Sequence, residues 1–283
     1  MKLSQLGISR KVYDRKSGML FRVAAQDHYE EGITTLLAEH VIAVRALDAS
    51  EKGPVNPLRE QRGRFGNNSY PLSNLHQWLN SDAPDWYQPA HDLDNPPAAQ
   101  FLRYGEHPYD REPGFLAGFS DVFRENLAVT EIPVIVRTGA CRGKLSHIRA
   151  AVFLPSRTEM NKGDEIGIAE GKPLPIFYDH YIFKATPSPD QIRKYGRSWN
   201  PEEPDKGLFF DNAQMYDPKF GWWYYMRTPN VQYSFLQRVM TAYGSVSFTY
   251  ANNDIVGIRP LINLRGDTPV TDVGAEEMLY RIG

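Results

Sequence analysis

Residues 221–264 read GWWYYMRTPNVQYSFLQRVMTAYGSVSFTYANNDIVGIRPLINL. The stretch opens on four consecutive aromatics, Trp222 to Tyr225, and closes on the apolar run from Ile255 to Leu264. In an extended chain, side chains alternate between faces, so Trp222 and Tyr224 fall on one side and Trp223 and Tyr225 on the other, with one side entering a core. In 243–250 (YGSVSFTY) the same alternation sends Val246 and Phe248 one way and Ser245, Ser247 and Thr249 the other. The residues between are rich in Tyr, Ser and Asn, the composition of adaptable binding surfaces: tyrosine gives contact area at low entropic cost, and Ser and Asn give flexible hydrogen bonding. Nucleophiles, bases and metal ligands are nearly absent here. The stretch reads as a binding surface, with contacts expected from Tyr224, Asn230, Gln232, Tyr233, Phe235, Gln237, Tyr243, Ser245, Ser247, Thr249, Asn252 and Asn253. Arg227 and Arg259 stand beside a turn or strand end and are expected to tie loop carbonyls and carboxylates together.

Outward from this stretch, 19–25 (MLFRVAA) and 40–47 (HVIAVRAL) read as strands, and 51–69 as a Gly, Pro, Asn and Arg loop. Ser73 or Asn74 caps a short helix over SNLHQWLN, with Leu75, Trp78 and Leu79 on its core face. Residues 114–127 (GFLAGFSDVFRENL) repeat apolar side chains at helical spacing and predict a second short helix. Residues 128–137 read as a strand whose Pro133 marks an edge or bulge, and Ala150 to Leu154 as another. From 161 to 220 the chain is polar, Pro-rich and irregular, the character of insertions that carry function or pack as lids.

The 283 residues hold 41% hydrophobic and 23% charged side chains, near globular averages. With 21 Pro and 22 Gly, short strands and many loops are favoured over long helices. A net charge of −2 argues against nucleic acid as the main partner. The sequence shows no signal-peptide pattern at its start and no apolar run long enough to span a bilayer, so synthesis in the cytoplasm is expected, with display on a phage particle or cell surface open.

Catalytic patterns are missing: no GxSxG elbow, HExxH, Walker loop or GxGxxG. The single cysteine, Cys141, excludes an intrachain disulfide and multi-cysteine metal sites, and no local signature joins it to a histidine. His91, Asp92, Asp94 and His107 are suitable metal-ligand types, but their spacing matches no site with a known mechanism, so neither metal nor cofactor is expected. The chain reads as a non-enzyme. Its strongest catalytic rival is a glycan hydrolase using the carboxylates of 199–217 (Glu202, Glu203, Asp205, Asp211 and Asp217), which needs two acids facing each other across a cleft.

Five blocks carry a resemblance: NNSYPLSNLHQWLNSDAPDWY (67–87), GFLAGFSDVF (114–123), VFLPSRTEM (152–160), GWWYYMRTPN (221–230) and GIRPLINL (257–264). In this order they resemble an uncharacterised family of bacterial and phage proteins with SNxxxWLNS, VFLxS, WxRSP and GVRPALNL blocks. The likeness covers about residues 10 to 265, with Arg-Thr-Pro for Arg-Ser-Pro and Ile258 for Val. Its last blocks are similar to the C-type-lectin fold, as in sulfatase-modifying-factor-like domains and the variable proteins of diversity-generating retroelements. The resemblance implies a single α+β domain over 1–283, C-type-lectin-like, with short twisted antiparallel strands, two short helices and long loops, and 266–283 as a tail. It implies a receptor-recognition protein of phage, prophage or retroelement-diversified type, binding a protein or glycan on a cell or particle surface through 222–253. The enzymatic relatives use a cysteine pair that this chain lacks. A structural virion component, oligomeric through that surface, is a further reading.

Overall fold

Every residue of the strand Tyr224–Pro229 is buried. Trp222 is buried too, and only Trp223 is half-exposed, so the expected division into a core face and an outer face does not hold. The reason is position: this strand is the middle one of a five-stranded sheet ordered Val246–Tyr250, Leu236–Met240, Tyr224–Pro229, Gly257–Ile258, Ala43–Val44, and protein covers both of its sides. The computed structural model describes residues 1–53, 57–136, 138–139, 142–187, 216–217, 221–274 and 279–283.

A second sheet has seven strands in the order Val270–Gly274, Leu279–Ile282, Lys11–Asp14, Leu20–Gln26, Ile33–Ala38, Leu261–Arg265, Val152–Phe153. Its pairings are antiparallel except that Lys11–Asp14 runs parallel to Leu279–Ile282. Residues 266–283 therefore include two strands of the main sheet and are not a tail. The apolar run 255–264 supplies one short strand to each sheet, which links the two around one hydrophobic core. A separate ribbon pairs Thr130–Val136 with Lys144–Ala150 and places Pro133 opposite His147. Both strands of a two-stranded ribbon are edges, where a proline's missing donor costs no ladder bond.

Among the described residues there are three short α-helices, where the sequence suggested two: α1 (Pro57–Phe65), α2 (Asn74–Leu79) and α3 (Asp121–Glu125). Helix α2 begins as its sequence indicates, the Ser73 hydroxyl accepting the His76 N–H at 3.2 Å. The expected helix over 114–127 is divided. A 3-10 turn, Phe115–Gly118, precedes α3, and Ser120 caps α3 by accepting the Phe123 N–H at 3.2 Å. Its apolar side chains still enter the core, where Phe119 stacks on Phe123 at 4.4 Å and Phe123 on Phe21 at 5.7 Å. The fold is α+β and mostly sheet.

Candidate functional site

The carboxyl end of α1 meets the turn after the strand Val246–Tyr250, and aromatic rings fill the junction. Phe65 stacks on Tyr250 with centroids 4.1 Å apart and planes 10° apart, and on Phe235 at 5.5 Å. The Arg103 guanidinium lies 4.3 Å from the Tyr250 centroid. Two groups this close to one ring must occupy its opposite faces, so Tyr250 is sandwiched. Arg64 lies over Phe65 at 5.0 Å, and Tyr233 meets Phe235 edge to face at 5.8 Å. Tyr104, beneath Arg103 at 5.4 Å, is 47% exposed, and Tyr233 is 49% exposed.

Buried polar groups hold this ledge in place. The Asn252 amide donates to the Ser50 hydroxyl at 2.9 Å and to the Arg64 carbonyl at 3.0 Å, fixing the end of α1. The Asp254 carboxylate, fully buried, accepts the N–H groups of Tyr104 (2.9 Å), Glu106 (2.7 Å) and His107 (3.1 Å), fixing the loop under Arg103. Both arginines are exposed, and neither forms an ion pair among the described residues. A guanidinium stacked flat on a ring keeps its N–H edge directed outward, where it can take a carboxylate or similar acid in a bidentate fashion.

Behind the ledge is a cavity of about 250 Å³ lined by Glu51, Arg62, Asn67, Leu72, His91, Asp92 and Leu93. Arg62 and Phe65 are three residues apart on α1, so cavity and ledge share one helix face. Glu51 is 5% exposed. Its Oε1 accepts from Asn67 Nδ2 at 2.9 Å and faces His91 Nε2 at 3.5 Å and Arg62 at 3.8 Å, while Oε2 has no hydrogen-bond partner. His91 Nδ1 accepts the Leu93 N–H at 3.3 Å, which puts the neutral ring's proton on Nε2, toward Glu51. Below, burial pushes the Asp48 carboxyl well above the usual range, reinforced by the neighbouring Asp94.

Of the twelve side chains expected at the surface, the structure leaves Gln232, Tyr233, Tyr243 and Ser245 exposed and Ser247 half-buried, and buries Tyr224, Asn230, Phe235, Gln237, Thr249, Asn252 and Asn253. The buried polar ones satisfy this chain's own groups. The Tyr224 hydroxyl donates to the Phe183 carbonyl at 3.0 Å and the Gln237 amide to the Met226 carbonyl at 2.6 Å. Asn230 Oδ1 accepts the Gln232 N–H at 3.0 Å, and the Asn253 amide donates to Thr249 Oγ1 at 2.8 Å. Phe235 is the buried base of the ledge. The expected alternation in 243–250 holds at Ser245, which is exposed, and Val246, which packs against the core, and fails at the strand's end, where Thr249 is buried and Phe248 is exposed beside Arg238. Phe65, Arg64, Arg103 and Tyr104 lie outside the stretch that sequence singled out. An aromatic flanked by arginine at 64–65 and again at 103–104 was the available signal.

Arg227 and Arg259 are structural, as expected. Arg227 makes a two-pronged pair with Glu159 (2.6 Å each) and donates to the carbonyls of Pro133 and Leu154; Arg259 donates to the Ala38 and Glu39 carbonyls. His91 and Asp92 share the cavity, whereas Asp94 accepts the Ala90 N–H and His107 is buried elsewhere. No group of three or more His, Cys, Asp or Glu side chains among the described residues could hold a metal ion. No helix among them is long and apolar enough to cross a membrane. Cys141 and the carboxylates Glu202, Glu203, Asp205 and Asp211 lie outside the described residues, and Asp217 is described only by its backbone pairing with Gly221.

Comparison with curated proteins and with solved structures finds no match. The model of a domain of unknown function, DUF6273, matches residues 31–266, and the chain belongs to that family.

Proposed function

We propose that this chain is a non-catalytic recognition protein whose contact surface is the ledge of Arg64, Arg103, Tyr104 and Tyr233, binding an acidic protein or glycan on a cell or particle surface. One observation carries the reading: Arg103 and Arg64 are stacked on the Tyr250–Phe65 pair, exposed, with no carboxylate of the described chain to neutralise them. Such an array is rigid before the ligand arrives, so little ordering entropy is lost on binding. The C-type-lectin-like form of the fold belongs to the same proposal and is supported by short antiparallel strands, few short helices and long loops. If the chain is diversified in a prophage or retroelement setting, variation is restricted to the exposed Gln232, Tyr233, Tyr243 and Ser245 and the half-buried Ser247; sequencing the flanking DNA for a near-copy of these codons decides that part.

The binding test is surface plasmon resonance of the full chain against immobilised polygalacturonate, polyglutamate and neutral dextran. Retention on an acidic polymer and not on dextran, falling at least tenfold in the double variant R64A/R103A, is the expected result. Equal retention on dextran, or a double variant that binds as the parent does, would overturn the assignment.

A further inference from the structure

A carboxylate oxygen buried without a donor is costly unless something brings one to it. Glu51 Oε2 is in that position, and Glu51 is one of the residues that line the cavity behind the ledge. The other oxygen is occupied by Asn67, with His91 and Arg62 at longer range. Among the lining side chains that carry a full charge, Glu51 and Asp92 outnumber Arg62 by one. A cationic donor is therefore favoured over a neutral hydroxyl. The lining also supplies Leu72 and Leu93, apolar side chains suited to a methylene stem. The cavity volume, about 250 Å³, lies just below the range of ligand pockets, roughly 300–1,000 Å³. It admits a small group and not a whole oligomer.

We infer that this cavity is a binding site for a primary alkylamine, with the ammonium donating to Glu51 Oε2, Asp92 adding attraction and the alkyl stem lying against Leu72 and Leu93. A free amine and a lysine side chain present the same chemistry. The site is independent of the ledge, because it takes a cation where the ledge takes an acid.

The test is calorimetric titration of the full chain with n-butylamine, with Nα-acetyl-lysine amide and with glycerol. Saturable binding of n-butylamine, weakened at least tenfold in Glu51→Gln and several-fold in Asp92→Asn, is expected. Glutamine keeps the volume and an acceptor for Asn67 while removing the charge. Equal or tighter binding of the lysine amide assigns the site to a protein side chain, and preference for n-butylamine to a free amine; either supports the inference. Binding of glycerol as tight as that of the amines would overturn it, as would absence of saturable amine binding. Should Glu51→Gln fail to fold, the exposed-site variant Asp92→Asn and the cavity-blocking Leu93→Arg decide, and unchanged binding in both would also overturn it.

Discussion

The most demanding residues in this molecule are the charged ones it buries. Arg227 and Glu159 are both fully buried and meet in a two-pronged pair, with Tyr29 donating to the same carboxylate at 2.6 Å. Removing one partner of such a pair leaves the other charge in a medium that cannot solvate it. Glu159→Gln is therefore expected to cost about 3–5 kcal/mol, read as a lower midpoint in denaturant unfolding with an unchanged slope. Glu170, beside them, accepts the Ile135 N–H at 2.8 Å and the Thr228 hydroxyl, and burial raises its carboxyl from 4.5 to about 7. The folded state then binds this proton more tightly than the unfolded chain does. Its stabilising contribution is full below about pH 4.5 and is lost as pH rises through about 7, a change on the order of 3 kcal/mol. Unfolding measured from pH 4 to 8 should show that falling component, and Glu170→Gln should flatten it. At this scale the sequence was legible where a charge stood next to turn chemistry, as with Arg227 and Arg259. It misleads for Asn, Gln and Thr: composition cannot distinguish a polar side chain facing solvent from one satisfying a buried group of the chain itself, and Gln237, on the Met226 carbonyl, and Asn253, on the Thr249 hydroxyl, are the second kind.

Among elements, the loop joining Tyr224–Pro229 to Leu236–Met240 depends on one side chain from elsewhere. Asn68 directs its amide at the carbonyls of Asn230 (3.1 Å), Tyr233 (2.7 Å) and Leu236 (2.6 Å), and the Thr138 hydroxyl donates to its oxygen at 2.7 Å. Asn68→Ala leaves each of those carbonyls with its backbone donor alone and the Thr138 hydroxyl without its acceptor, at about 1–3 kcal/mol for an unsatisfied buried group. It should raise amide hydrogen exchange over 230–236 while leaving the seven-stranded sheet protected, because the loss is local to a loop that also carries Tyr233. Helix α1 shows why part of the ledge was hidden. Its sequence, PLREQRGRF, has a proline where helices tolerate one and arginines near its carboxyl end, but no apolar stripe and a glycine inside. Periodicity had nothing to detect. What holds its end is tertiary, in Phe65 against Tyr250 and Asn252 on the Arg64 carbonyl. By contrast, α2 carries both a cap and apolar spacing in its own residues, and so was readable.

At the scale of the molecule, the family match and the folding unit do not coincide. The match covers 31–266, but the seven-stranded sheet also contains Lys11–Asp14, Leu20–Gln26, Val270–Gly274 and Leu279–Ile282. Leu20–Gln26 pairs with Thr34 to Ala38 and contributes Phe21, Val23, Ala24 and Ala25 to the core. The last two strands are short and mixed in polarity, and Leu279–Ile282 joins the sheet by pairing with Lys11–Asp14 across more than 250 residues, so local pattern did not place them. A fragment of residues 31–266 loses one of the two partners of Ile33–Ala38 and exposes a hydrophobic strand edge, a template for association between chains. Expressed alone, it is expected to lack a cooperative thermal transition and to elute as aggregate, where the full chain melts in one step. A fragment of residues 1–266 differs in kind. It keeps Leu20–Gln26 between its two neighbours and loses only the strands beyond Lys11–Asp14, so it should still fold, with a lowered melting midpoint and intact binding at the ledge. If 31–266 instead melts cooperatively at the full chain's midpoint, the five-stranded sheet with the ledge is a folding unit by itself, and the outer strands are an addition to it.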